Sequence, residues 1–270
     1  MAYPHGLFSW TDISLPDPAA GSRFYAGLFG WDAEDQHDPD GNHIYTMFSK
    51  DGKAVAGLGP QPPEMASSGI PPMWNSYIAV NSVDDTVAKW TEAGGSVVMP
   101  AMDVMDAGRM AVVADPAGGV VSLWQAGRHA GAEVFTGHGT MTWNELATRD
   151  SAAARDFYAK VLGWDFQKAE FPGEYWTIHM ASKEKGQAYE PDDFNGGILT
   201  MDENWPAELP SHWMVYFNVD DIDAAVAKLE ELGGKVSVPI FESPVGRMSV
   251  VGDSQGGTFT MIQPAPQPQS

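Results

Sequence analysis

Two acids have settings suited to proton chemistry. Asp12 closes the run Phe8-Ser9-Trp10-Thr11-Asp12, and Glu145 closes Met141-Thr142-Trp143-Asn144-Glu145, each two residues after a tryptophan. A carboxyl on an apolar wall is harder to ionise, because burial disfavours its charged form. It could then act as a general base or bind a donor on a ligand. The alternative is an exposed acid in a chain with 36 Asp and Glu. Arg109 and Arg247 form a second pair, both in Gly-Arg-Met. Each could hold a ligand anion or a pocket acid, although a salt bridge fixing a strand end is the favoured role. His5, His129 and His138 lie in terminal or linker segments and are expected to be solvated, and His37 and His43 sit in or near a variable loop. His179 and His212 belong to strands. A Glu145, His212 and His179 metal site is conceivable, but an isolated imidazole is more often satisfied by ordinary hydrogen bonds.

Composition excludes several chemistries. There are no cysteines among the 270 residues, so thiolate zinc sites, iron–sulfur clusters, disulfides and cysteine nucleophiles are ruled out. Fifteen Lys and Arg against 36 Asp and Glu give a formal charge of −21, a surface that repels nucleic acid and anionic membranes. Hydrophobic residues make up 43%, enough for a sizeable core. No run of about 18 apolar residues and no secretory pattern occurs, so a soluble cytoplasmic protein is expected. No phosphate-binding glycine loop and no nucleophile-elbow motif is present.

The elements that must position these residues come from an internal repeat. Trp10 to Trp31 lies over Trp143 to Trp164, sharing Asp17/Asp150, Phe24-Tyr25/Phe157-Tyr158 and Gly30-Trp31/Gly163-Trp164. Trp74 to Pro100 lies over Trp213 to Pro239, and Gly108 to Gln125 over Gly246 to Gln263. The spacing divides the chain into a module at 1–127, a linker at 128–136, a second module at 137–264 and a tail at 265–270. Alternation from Phe8 predicts a strand. Asp17-Pro18 predicts a helix start and Gly30 its end. Asn42 to Phe48 and Val55 to Leu58 are strand candidates. A strand from Tyr77, a helix Asp84 to Ala93 and strands at Ser96–Met99, Arg109–Ala114 and Val120–Gln125 follow. The second module repeats this with a strand from Met141, helix Ser151–Leu162, a strand from Trp213 and helix Asp223–Leu232. The expected class is α+β, four βαβββ units, two per module.

This order and spacing, seen twice, resembles the vicinal oxygen chelate superfamily, which includes glyoxalase I, extradiol dioxygenases and bleomycin-resistance proteins. It is most similar to tandem-module actinobacterial glyoxalase-like proteins. The matching pieces include Val80–Asp84, Gly94-Gly95 and Asp115-Pro116-Ala117-Gly118-Gly119, with Asp253-Ser254-Gln255-Gly256-Gly257 in the second module. The resemblance implies that each module curls eight strands around a cup-shaped pocket. It also implies metal ligands on the first, fifth and last strands. Those positions fall on Trp10, Asn75 and Ser122, and on Trp143, Met214 and Thr260. A mid-module position falls near Gly57 and Ile198. None is His, Asp or Glu, the donors that such divalent ions take. The expectation is therefore no metal and no cofactor.

Alternation puts Phe8, Trp10, Asp12, Ser14, Met73, Asn75, Tyr77, Ser122 and Trp124 on the first cup's face. The second should carry Met141, Trp143, Glu145, His212, Met214, Tyr216, Asn218, Thr260 and Ile262. Ile13, Leu15, Ile78, Val80, Leu123, Leu146, Val215, Phe217 and Met261 should pack under the helices. An aromatic lining suits a flat apolar ligand, although the same side chains could simply fill the cups. Met73 stands where the second module has His212, and Phe48 is expected where it has His179. Fusing two modules mimics a dimer of single modules, so monomer and homodimer both fit.

Overall fold

The computed structural model describes residues 2–67, 69, 71–171, 173–180 and 194–266. The first module runs β1 (Phe8–Leu15), α1 (Pro18–Phe29), β2 (Asp32–His37), β3 (His43–Lys50), β4 (Lys53–Pro60), α2 (Pro63–Ser67), β5 (Trp74–Ala79), α3 (Val83–Glu92), β6 (Ser96–Val104), β7 (Gly108–Ala114) and β8 (Val120–Ala126). The second runs β9 (Met141–Thr148), α4 (Ser151–Leu162), β10 (Trp164–Ala169), β11 (Tyr175–Met180), β12 (Phe194–Thr200), β13 (His212–Asn218), α5 (Ile222–Glu231), β14 (Lys235–Ser243), β15 (Gly246–Gly252) and β16 (Thr258–Pro264). Two eight-stranded mixed sheets result, in the orders β2-β3-β4-β1-β5-β8-β7-β6 and β10-β11-β12-β9-β13-β16-β15-β14. The α+β class and the doubled βαβββ pattern are as expected.

The helix ends follow from their residues. Asp17 and Asp150 accept the backbone N–H of Ala20 and Ala153 at 2.9 Å, each filling one of the donors that a helix start leaves open. Gly30 and Gly163 end the helices at φ 69° and 71°, a left-handed turn that a side chain disfavours. Strand β2, Asp-Ala-Glu-Asp-Gln-His, carries no apolar alternation and is mostly exposed, so the pattern did not predict it. It lies at the edge of its sheet, where solvent hydrates its charges.

Compactness divides the chain differently from the repeat. One unit holds Met1–Trp10, Asn75–Gly131 and Trp143–Met214; the other holds Thr11–Trp74, Ala132–Thr142 and Val215–Ser270. The core of the first joins Ile78, Val80, Trp90 and Leu123 from one module to Leu146, Phe157, Tyr158, Ile178 and Trp213 from the other. The core of the second joins Ile13, Leu15, Tyr25, Phe48 and Trp74 to Val215, Phe217, Phe259 and Met261. The expected sub-helix face is therefore buried as read. Phe8 and Met141 are corrections. Phe8 lies in the first unit's core, with ring centroids 5.5 Å from Trp164 and 5.1 Å from Trp213, and Met141 lies in the second unit's core. Both begin their strands, where an apolar side chain gains more from core than from a pocket wall.

Each unit also buries one polar chain. In the first, Trp213 Nε1 donates to Tyr158 Oη at 3.0 Å, and Tyr158 donates to Asp115 Oδ2 at 3.0 Å. In the second, Trp74 Nε1 donates to Tyr25 Oη at 3.1 Å, and Tyr25 donates to Asp253 Oδ2 at 2.7 Å. In each chain the aspartate comes from the Gly-Gly turn of the module that does not supply its tyrosine. Burial first, and the neighbouring aspartate second, push both phenols well above their usual pKa. Among the described residues no helix is long and apolar enough to cross a membrane.

Candidate functional site

Register decides which side chains share a face, because paired residues in a sheet point the same way. In the first unit Glu145 pairs with Gly197, Gly197 with Thr177, and Thr177 with Gln167. In the second unit Asp12 pairs with Gly57, Gly57 with Met47, and Met47 with Glu34. The two rows are equivalent, so the mid-module position of the second module is Gly197. Ile198 is fully buried on the core side. The same register sets His179 against Ser49, and Phe48 against Ile178, correcting the expected Phe48/His179 match.

Both glycines exist for a tyrosine. A Cβ on Gly57 would lie 1.8 Å from Tyr45 Oη, and one on Gly197 would lie 2.0 Å from Tyr175 Oη. The phenols thus lie flat over strand positions where any side chain would collide. Tyr45 Oη donates to Asp12 Oδ2 at 3.1 Å, and Trp143 Nε1 donates to Tyr175 Oη at 2.9 Å. An indole N–H only donates, so the Tyr175 oxygen accepts there and its own proton is directed elsewhere. Asp12 and Glu145 are each 9% exposed, which makes them walled acids and not surface ones. Sequence reasoning missed Tyr45 and Tyr175; the doubled Tyr and Gly were the available signal.

Each unit also carries a second set of paired residues, mostly apolar. In the first unit Tyr77 pairs with Ser122, Ser122 with Val112 and Val112 with Met99, while Trp124 pairs with Met110 and Met110 with Met102. In the second unit Tyr216 pairs with Thr260, Thr260 with Val250 and Val250 with Val238, while Ile262 pairs with Met248 and Met248 with Phe241. Ser122 Oγ and Thr260 Oγ1 are each buried without a hydrogen-bond partner, at equivalent places.

The two modules differ in exposure. Trp10, Tyr77 and Trp124 are buried. His129, expected to be solvated, is half-buried against Trp10 with centroids 4.5 Å apart, and its carbonyl accepts Trp124 Nε1 at 2.9 Å. Asn75 is half-buried. In the second module Trp143 is half-buried, and His212, Met214 and Tyr216 are half-buried between fully covered Trp213, Val215 and Phe217. Val238 and Phe241 are exposed.

The arginines take the favoured role. Arg109 holds Asp84 and Asp103 at 2.9 and 2.8 Å, and Arg247 holds Asp223 at 2.6 Å and Glu242 at 3.3 Å. Hydrogen bonds from the arginines hold Asp84 and Asp223 below the usual carboxylate range. Both arginines are thus engaged by carboxylates. His212 Nδ1 meets Pro210 O at 2.9 Å, and His179 Nε2 meets Thr177 Oγ1 at 2.8 Å. Among the described residues no group of three or more His, Asp or Glu could hold a metal ion, so Glu145, His212 and His179 do not assemble into one. Trp10, Gly57, Asn75 and Ser122, and Trp143, Gly197, Met214 and Thr260, do not fit a divalent cation.

Comparison with known proteins agrees with this fold. The sequence profile of the Glyoxalase/Bleomycin resistance protein/Dioxygenase superfamily matches residues 7–123 and 136–260. The chain is 41% identical to "Putative glyoxylase CFP32" of Mycobacterium tuberculosis (strain CDC 1551 / Oshkosh), over 98% of this chain and 97% of that protein. It is 36% identical to "Anthracycline biosynthesis protein DauV" of Streptomyces sp. (strain C5), over 96% and 93%. Among solved structures, the Mn(II)-bound glyoxalase from Novosphingobium aromaticivorans superposes with TM-score 0.59 at 15% identity, covering 95% of this chain and 82% of that one. The 2,3-dioxygenase LapB from Pseudomonas sp. KL28 gives 0.61 at 12%, covering 98% and 95%.

Proposed function

Because the chain belongs to the Glyoxalase/Bleomycin resistance protein/Dioxygenase superfamily, we propose that it binds a small hydrophobic or aromatic molecule on the family's ligand face without the usual divalent metal. The observation that carries this is β13, where His212, Met214 and Tyr216 stay half-exposed while Trp213, Val215 and Phe217 are covered. A strand that keeps thioether, imidazole and phenol groups open to contact offers stacking and dispersion to a flat ligand. The second module is the working one; the first fills its face with Trp10, Tyr77, Trp124 and His129. The name of the Streptomyces relative points to polycyclic aromatic compounds as the ligand class. Residues at the inherited ligand positions supply indole, thioether, amide and hydroxyl groups, with no carboxylate or imidazole to hold a divalent ion.

The test is quenching of tryptophan fluorescence by quinizarin, a tricyclic hydroxyquinone, before and after dialysis against EDTA. Saturable quenching that survives chelation is expected. Absence of quenching, or its loss on chelation with recovery on adding manganese, overturns the reading.

A second reading has its own observation: Asp12 and Glu145 are each 9% exposed, and Asp12 accepts a phenol proton. A walled carboxylate of this kind could move a proton in a lyase, isomerase or hydroxylase-like reaction. Loss of turnover in Glu145→Gln with quinizarin binding retained would favour it.

A further inference from the structure

We propose that Tyr175 is a positioning residue for Glu145, and that the pair reads a hydroxyl group on the bound aromatic; this rests on the binding reading above. Gly197 pairs with Glu145, and Tyr175 Oη occupies the space of the missing Gly197 side chain, on the face that Glu145 shares. Tyr175 is 8% exposed, so its phenol is fixed by packing as well as by the Trp143 indole. The indole occupies one acceptor site of the phenol and leaves its proton to be given away.

The repeat shows where such a proton goes. In the other module the equivalent Tyr45, seated over Gly57, donates to the equivalent acid Asp12. Two copies of one arrangement, Tyr over Gly beside an acid, argue for one geometry, the phenol turned toward the carboxylate. A phenol that donates to a carboxylate holds it in one orientation and favours its charged form. A carboxylate has several acceptor sites, so one held in this way still suits a further donor. Arg109 and Arg247, the cations expected at the site, are engaged elsewhere by aspartate and glutamate. A ligand hydroxyl is the donor that an aromatic ligand would bring, and a ligand carboxylate would be repelled.

The experiment compares quinizarin with anthraquinone, the same ring system without hydroxyls, by tryptophan quenching in the full chain. Tyr175→Phe keeps the ring and removes the O–H. It should weaken quinizarin binding by about tenfold, the effect of one lost hydrogen bond to a charged partner, and leave anthraquinone unchanged. Gly197→Ala, which displaces the phenol, should also weaken quinizarin binding. In a Glu145→Gln background the Tyr175→Phe change should cost quinizarin nothing further, because the two act as one. Equal quinizarin affinity in Tyr175→Phe and the parent overturns the proposal, as does an equal loss for both ligands, which marks a packing role alone. A parent protein that binds neither compound removes the binding reading itself, and this proposal with it.

Discussion

Replacing Tyr158 with Phe removes one oxygen from a fully buried site and leaves two polar groups behind. The Trp213 indole N–H loses the acceptor it holds at 3.0 Å, and Asp115 Oδ2 loses the donor it holds at 3.0 Å. Asp115 Oδ1 keeps the N–H groups of Ala117 and Gly119, so the turn itself persists. An unsatisfied buried N–H costs about 1–2 kcal/mol and a lost bond to a carboxylate about 1.5–3, so the variant should lose roughly 3 kcal/mol. For a chain of this size that is roughly 6–12 °C in Tm. Thermal unfolding followed by circular dichroism at pH 7 measures it. The pH dependence adds a second check. Burial raises the Asp115 pKa above its unfolded value, with the Gly119 and Tyr158 hydrogen bonds opposing that rise. A group so raised binds its proton more readily when folded, so its contribution to stability is fully present below the unfolded pKa and fades as pH climbs through the folded pKa. Without Tyr158 the rise is larger. The deficit of the variant should therefore be greatest near neutrality, where the carboxylate is charged, and shrink as pH falls through the Asp115 folded pKa. An unchanged Tm at pH 7, or a deficit that grows on acidification, would mean that the phenol does not bridge the indole and the carboxylate.

Gly57→Ala places a Cβ 1.8 Å from Tyr45 Oη, so the phenol must leave Asp12. Overpacking of this kind should destabilise by about 1–3 kcal/mol, read as a lowered urea midpoint, and the double variant with Tyr45→Phe should recover little, because the ring carbons still crowd the site. Arg109→Ala breaks pairs with Asp84 and Asp103 that are open to solvent. It should shift Tm only slightly, and the shift should vanish in high salt. Asp84 is held low by Arg109, so this pair stabilises above the unfolded pKa of Asp84 and fades as pH falls through its folded pKa.

Local chemistry was legible in the residues alone. Asp17 and Gly30, with their copies Asp150 and Gly163, bounded helices because caps act within a single turn. The alternation of β13 separated Trp213, Val215 and Phe217 from His212, Met214 and Tyr216 because a strand has only two faces. The repeat carried the family and the doubled sheet. Tertiary structure decided what depends on distant partners. Phe8 and Met141 left the expected ligand face for the cores. Register moved the mid-module position from Ile198 to Gly197. Tyr175 became part of the site only because strand pairing lays its ring over a glycine 22 residues further along the chain. Local propensity and alternation act over a few residues, whereas such contacts form only once strands far apart in sequence have paired.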